Sequence, residues 1–251
     1  MRDRRDIPSR VVVHVGFHRT GLQSAHAFVR HNRRTIYRHA QFVLGPQLKQ
    51  AVKTARKFSA NPDDFHRDRF RFWFIGLLGE IAPQHNRPLL ISHPGLLGHM
   101  PGASGVKTYA AAPDLCEAME SGLRQVYGAE IPVTFIVTYR DPQAWLRSAW
   151  ARLVEAGMTT LSQEIFADQS GPAADFDGAI KAVRAKAGSA EVRAIALEDL
   201  AKAPFGVGGV YIEPLRLPPR TFDKLEAVPI KGSSPDDAAL LASLRQNREK
   251  V

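Results

Sequence analysis

Two stretches of this chain carry residues able to hold an anion. In the first, Val11, Val12 and Val13 lead through His14-Val15-Gly16 into the turn Phe17-His18-Arg19-Thr20-Gly21. The β-branched run reads as a short buried strand. From Leu22 a helical pattern sets Leu22, Ala25, Phe28 and Val29 on one face. Strand, tight turn and helix in succession aim the unpaired first-turn N–H groups at whatever lies above the strand's carboxyl end. The helix dipole favours negative charge at the same place. In the second stretch, Tyr139-Arg140-Asp141-Pro142-Gln143-Ala144-Trp145-Leu146-Arg147-Ser148 follows the clearest strand of the chain, residues 133–139. Arg140 leaves the end of that strand, where its fork of donors can grip a phosphate. Ser148 comes two turns into the following helix and can offer a hydroxyl to the same group. His93 is a third candidate, since it ends the strand of residues 89–92, where parallel sheets place their ligands.

Each candidate has a plainer reading. Arg19 suits a solvated charge in an ordinary α/β connection, and glycine at a strand-to-helix turn is common. Arg140 suits a capping salt bridge with Asp141, Ser148 a surface serine, and His93 a loop histidine satisfied by backbone. Gly16 and Gly21 have the glycine spacing of a nucleoside triphosphate loop. That loop continues with Lys and Ser/Thr, which neutralise phosphate and hold magnesium. Here Leu22 and Gln23 follow. The loop can cradle an anion with backbone but lacks the usual metal ligand, so ATP or GTP hydrolysis is disfavoured. The cation sits inside the turn instead, at Arg19.

The remaining elements alternate. Residues 41–45 form a short apolar segment, a strand or an extended connection, and residues 46–58 set Leu48, Val52, Ala55 and Phe58 at helical spacing. Asn61-Pro62-Asp63-Asp64 opens a helix to Ile81, with a polar cap, proline at the first position and acids in the first turn. Its aromatic stripe, with Phe65 and Phe72, reads as core. Helices are expected over 113–127, stopped by Gly128, from Pro142 to about Gly157, and over 173–187; a further strand is expected over 192–197. Residues 204–232 are rich in proline and glycine and read poorly. Ser234-Pro235-Asp236-Asp237 caps a last helix. The pattern indicates a basic tail over residues 1–10 and one domain over 11–251. Its class is α/β, three layers (α/β/α) around a mostly parallel sheet.

The 251 residues can bury a substantial core. No apolar run approaches a membrane span, and the first ten residues are too charged for a signal peptide. The single cysteine, Cys116, excludes an internal disulfide, points to a reducing compartment and sits among Leu115, Met119 and Leu123 as a core residue. The expected compartment is the cytoplasm. No Cys/His cluster has metal-site spacing. A net charge of +9 fits a polyanionic partner. The densest basic run, Arg30 to His39, ends the first helix, where cations complement the dipole anyway. Zinc fingers, aromatic RNA-binding signatures and basic zippers are absent from the sequence, so nucleic acid is not the expected partner.

Taken together, the turn at Phe17–Gly21 and the Arg-Asp-Pro…Trp-Leu-Arg-Ser run resemble the two cofactor motifs of the sulfotransferase superfamily, in the same order and at a similar separation. The resemblance implies a P-loop-NTPase-like fold and 3′-phosphoadenosine 5′-phosphosulfate (PAPS) as sulfuryl donor, with no metal. It implies that Arg19, Thr20, Gly21, Leu22, Gln23 and Ser24 line the 5′-phosphosulfate end, and that Arg140 and Ser148 hold the 3′-phosphate. It also implies that Arg19 stabilises charge on the bridging oxygen. Ile91-Ser92-His93-Pro94-Gly95 is similar to the segment that supplies a histidine base, so His93 would take the acceptor's proton. Lys231-Gly232 could stand in for a late Lys-Gly contact to the 3′-phosphate. The acceptor would be a small molecule or carbohydrate with a hydroxyl or amine.

The chain departs from that family where Leu22 and Gln23 replace a pair of threonines and Arg19 replaces lysine. Two hydroxyl contacts are lost, or one if Gln23 or Ser24 supplies the other; each is worth roughly 1.5–3 kcal/mol to a charged group, which lowers cofactor affinity by about one to four orders of magnitude. Three classes therefore follow: a PAPS-dependent sulfotransferase, a non-catalytic nucleotide- or anion-binding descendant, and, least favoured, a P-loop phosphotransferase.

Overall fold

A computed structural model describes residues 7–82, 84, 86–229 and 235–250. Five strands, β1 (Val11–His14), β2 (Gln41–Leu44), β3 (Leu89–Ser92), β4 (Val133–Tyr139) and β5 (Glu191–Ala196), pair in the order β2-β3-β1-β4-β5. All four pairings are parallel. The architecture is α/β, with a parallel sheet covered on both faces, as such sheets require. After β3 the chain passes β1 and continues on its far side. The carboxyl ends of β1 and β4 therefore flank a point where the connections diverge, which is where open α/β sheets hold ligands.

The helices are α1 (Leu22–His31), α2 (Arg33–Ile36), α3 (Lys49–Ala60), α4 (Asp64–Glu80), α5 (Ala112–Tyr127), α6 (Pro142–Glu155), α7 (Gln163–Ser170), α8 (Phe176–Lys186), α9 (Leu197–Lys202) and α10 (Asp237–Glu249). Side chains alternate across β1. Val11 and Val13 face a large core shared with α3, α4, α5, α6 and α8. Val12 faces a smaller core shared with α1, α2 and residues 205–225. Cys116 is fully buried in the larger one.

Several expectations change. The cap of α4 is Asp63, whose carboxylate accepts from His66 N, so Asn61 and Pro62 lie before the helix. The buried face of α4 is Phe70, Phe74, Leu77 and Leu78, while Phe65 and Phe72 are exposed. The aromatic residues of this helix are spread around it, so its core face is chosen by neighbours and not by its own pattern. Helix α7 had no strong periodic signal. Asp236 caps α10 through Ala239 N, and Ser234 lies outside the described residues, as do Lys231 and Gly232. Residues 206–211 and 219–224 form 3-10 turns, the first packed on α1, where Gly208 leaves room for the Phe28 ring.

Candidate functional site

The turn after β1 is built on two glycines with positive φ, Gly16 (38°) and Gly21 (88°), and on Arg19 at φ 66°. A non-glycine residue in the left-handed region is strained, and such strain concentrates at functional turns. A Cβ on Gly21 would lie 2.7 Å from Leu197 Cδ1 and 2.8 Å from Val207 Cγ1. Gly21→Ala should therefore cost on the order of 1–3 kcal/mol, read as a lower urea midpoint. An unchanged midpoint would mean that the turn rearranges freely. Gly21 also caps α1 without any side-chain cap. The N–H groups of Gly21, Leu22 and Gln23 make no hydrogen bond among the described residues, whereas Ser24 N–H already donates to Gly21 O at 2.9 Å. The cradle thus consists of three amides, and Ser24 is committed to the helix.

This turn and the segment after β4 are fastened together. Phe17 N–H donates to Thr138 O (3.0 Å), and the Thr20 and Thr138 hydroxyls pair at 2.7 Å. Trp145 Nε1 donates to His18 O (2.8 Å), and Arg19 Nε donates to Ser148 Oγ (2.9 Å). Asp141 caps α6 by accepting from Ala144 N (2.8 Å), so its carboxylate serves the helix. Arg140 Nε is buried and has no partner among the described residues. Such an orphan donor costs about 1–3 kcal/mol unless a ligand meets it. Burial lowers the Arg19 pKa, Glu155 offsets this in part, and the Arg152 and Arg140 charges lower it further.

Arg19, Gly21, Leu22, Gln23, Arg140 and Ser148 all line one cavity of about 1030 Å³. So do His18, His26, His93 and His99, with Arg56, a group in which the Arg56, His93 and His99 charges act on His18. Among the described residues no three metal-ligating side chains are grouped to hold an ion. Thr20 is brought to the turn but its hydroxyl is spent, since it donates to Phe17 O at 2.6 Å.

The buried polar groups beneath the turn form a chain whose polarity can be worked out bond by bond. A carbonyl only accepts, so Thr20 donates to Phe17 O, and Thr138 must then donate to Thr20 Oγ1. His14 Nε2–H, 3.2 Å away, donates to Thr138 Oγ1. His14 is fully buried, and burial, with the His26 charge, lowers its pKa to about 3. The ring is neutral, so Nδ1 accepts from the Tyr211 hydroxyl at 2.8 Å. Ser92 then donates to Tyr211 Oη (3.2 Å), and His26 Nε2–H donates to Ser92 Oγ (2.8 Å). Burial, then the Arg30 and His93 charges, lower the His26 pKa to about 4. Neutral His26 therefore carries its proton on Nε2, and the lone pair on its Nδ1 has no partner among the described residues.

His93 has the opposite arrangement. Its Nδ1 accepts from Gly95 N–H at 2.9 Å, and burial, then the Arg56 charge, lower its pKa to about 4. The neutral ring carries its proton on Nε2 and offers a donor there. His26 escaped the sequence reading because a polar residue on the first turns of α1 is unremarkable. Its meaning depends on Ser92 and Tyr211, which are distant in the chain.

No family model matches the chain, and no curated protein matches it. Among solved structures, a sulfotransferase from Alicyclobacillus acidocaldarius is similar over 94% of this chain and 91% of that one, at 14% identity and a TM-score of 0.48.

Proposed function

We propose that this chain is a PAPS-dependent sulfotransferase acting on a hydroxyl or amine. The reading rests on one observation. Gly21, Leu22 and Gln23, whose amides are open, and Arg140, whose buried Nε has no partner among the described residues, line the same cavity, and the Arg19–Ser148 bond joins the two segments. Two separate anion grips on one cavity suit a ligand with two phosphates. The residues fit PAPS in this sense, with its 5′ end on the α1 tip and Arg19, and its 3′-phosphate on Arg140 and Ser148. When bound, PAPS supplies the sulfuryl group. The acceptor oxygen or nitrogen would lose its proton to His26 Nδ1, whose lone pair has no partner among the described residues, while Nε2–H stays on Ser92. His93 Nε2–H would orient the acceptor. Amides fixed by the turn favour the charge that develops at the reacting centre without further reorganisation. An anion in the cavity also raises the His26 pKa from its depressed value, which strengthens it as a base.

The test is thermal. Adenosine 3′,5′-bisphosphate at a hundredfold excess over its Kd should stabilise the protein by about 2.7 kcal/mol. For a chain of this size that is a Tm rise of roughly 5–10 °C. Arg140→Ala should remove most of that rise. No shift with this nucleotide, but one with ATP and magnesium, would favour a phosphotransferase.

One observation favours a second reading, a binding protein without turnover. The tip of α1 presents the apolar Leu22, and the Thr20 hydroxyl beside it is bonded inward to Phe17 O. Nucleotide-induced stabilisation with no transfer to any acceptor would select it.

A further inference from the structure

Beside the histidine group of the cavity lies a second hollow of about 560 Å³, which shares Gly45, Arg56, His93 and His99 with the first. Its wall is the outer face of α3. Lys49, Lys53, Arg56 and Lys57 are spaced so that all four fall on one side of that helix, and all four are exposed. Among the described residues none of them is ion-paired, although other surface cations such as Arg67, Arg147 and Lys186 are. No Asp or Glu lines this hollow, and the one acid of the main cavity, Glu198, accepts from Asp141 N beside Arg140. Like charges three and four residues apart on a helix destabilise it by a few tenths of a kcal/mol per pair. The face therefore carries a cost that nothing within the fold offsets.

The lining of both hollows has a second feature. It contains no Phe, Tyr or Trp. A flat phenolic acceptor would find no ring to pack against. What it does contain is imidazole edges and cations, which suit hydroxyls and carboxylates. The cationic row from Lys49 to Lys57 is about 12 Å long, so it fits a chain with repeated negative charge and not a single anion.

We infer that the α3 groove is the acceptor-binding site, and that it takes a hydroxyl-rich acceptor bearing carboxylate or sulfate groups, an acidic oligosaccharide. The acceptor's anionic groups lie along Lys49, Lys53 and Lys57. Arg56 sits at the junction, and a hydroxyl of the chain reaches His93 and His26. This rests on the sulfotransferase reading for its chemistry, but the groove's binding can be measured without turnover.

The experiment uses the full chain and three probes of equal length: a hexuronate tetrasaccharide, its carboxyl-reduced neutral counterpart, and a sulfated form of that neutral sugar. Calorimetric binding should be tight for the two anionic sugars and at least about tenfold weaker for the neutral one. The ratio between the two anionic sugars tells carboxylate from sulfate preference. The double variant Lys53→Glu/Lys57→Glu should weaken binding of the anionic sugars roughly ten- to thirtyfold. Lys53→Gln/Lys57→Gln should give a smaller loss and a shallower salt dependence. Both variants should keep the wild-type Tm rise with adenosine 3′,5′-bisphosphate, which reports on Arg140 and the glycine turn. Equal binding of the neutral sugar, or unchanged binding by the charge-reversed variant, overturns the inference. So does tighter binding of a glutamate-rich peptide or of a single-stranded oligonucleotide. If the nucleotide shift is missing from the wild type while the sugar results hold, the sulfotransferase reading fails and the anionic groove stands.

Discussion

Replacing His26 should lower turnover by about two to four orders of magnitude while leaving nucleotide binding intact, because proton transfer to a positioned base contributes that much. His26→Gln is the informative variant, since its amide can still donate to Ser92 and hold the end of the chain. The Tm rise with adenosine 3′,5′-bisphosphate should match wild type, which separates a lost base from a lost fold. Ser92→Ala tests the tautomer. With no acceptor for Nε2–H, the His26 ring is free to move its proton to Nδ1, and kcat should fall with little change in KM. His93→Gln should act the other way, raising KM more than it lowers kcat, because its neutral ring donates and does not accept a proton. A His93 variant with His26-sized losses, and a His26 variant that turns over normally, would reverse the two roles.

Acid should unfold this protein steeply, beginning near pH 6. His14 and His18 have pKa values lowered to about 3, and His26 and His93 to about 4, in every case with burial as the first cause. In the unfolded chain each returns to about 6.5. Between the two values the unfolded state binds the extra proton, so stability is full above pH 6.5 and falls as the pH drops. His14, which is fully buried, alone costs about 1.4 kcal/mol per pH unit in that window, or about 2.7 kcal/mol by pH 4.5. The other three act in the same direction, and the net charge of +9 adds repulsion. Chemical denaturation at pH 7, 6 and 5 should show stability falling by several kcal/mol per unit. His14→Gln should be less stable at pH 7 but should flatten that slope by about one proton. A curve flat from pH 7 to 5 would mean that these rings are not buried in neutral form.

The parallel sheet was readable because β1 and β4 are β-branched runs and β2 and β3 short apolar ones, and α1, α3, α5 and α6 because one face of each is apolar at helical spacing. Helix α4 shows the limit of that signal. With Phe65, Phe70, Phe72, Trp73 and Phe74 spread around it, only packing against α3 and α5 decides that Phe70 and Phe74 go inside. At the site, the spacing of Gly16, Gly21, Arg140 and Ser148 was visible, but their mutual contacts were not. The resemblance assigns Arg19 and Ser148 to different ends of a nucleotide, and the direct bond between their side chains is a contact that spacing does not show. Periodicity cannot express the Thr20–Thr138–His14–Tyr211–Ser92–His26 chain, because its members come from three strands, the turn after β1, a 3-10 segment and α1. Tyr211 also comes from the stretch of proline and glycine that read least well.

The fastening of Phe17–Thr20 to Thr138–Ser148 has a consequence for how the protein comes into being. The two partners are more than a hundred residues apart, and β1 finds its neighbours, β3 (Leu89–Ser92) and β4 (Val133–Tyr139), only after long intervening segments. During synthesis the glycine turn leaves the ribosome long before Arg140 exists, and closing so long a loop is slow. A nascent chain halted before α6 would expose His14 and the turn's strained backbone with nothing to lock them. The proposed nucleotide grip should thus form in one step, once β4 and α6 are in place, and not accumulate as the polypeptide lengthens.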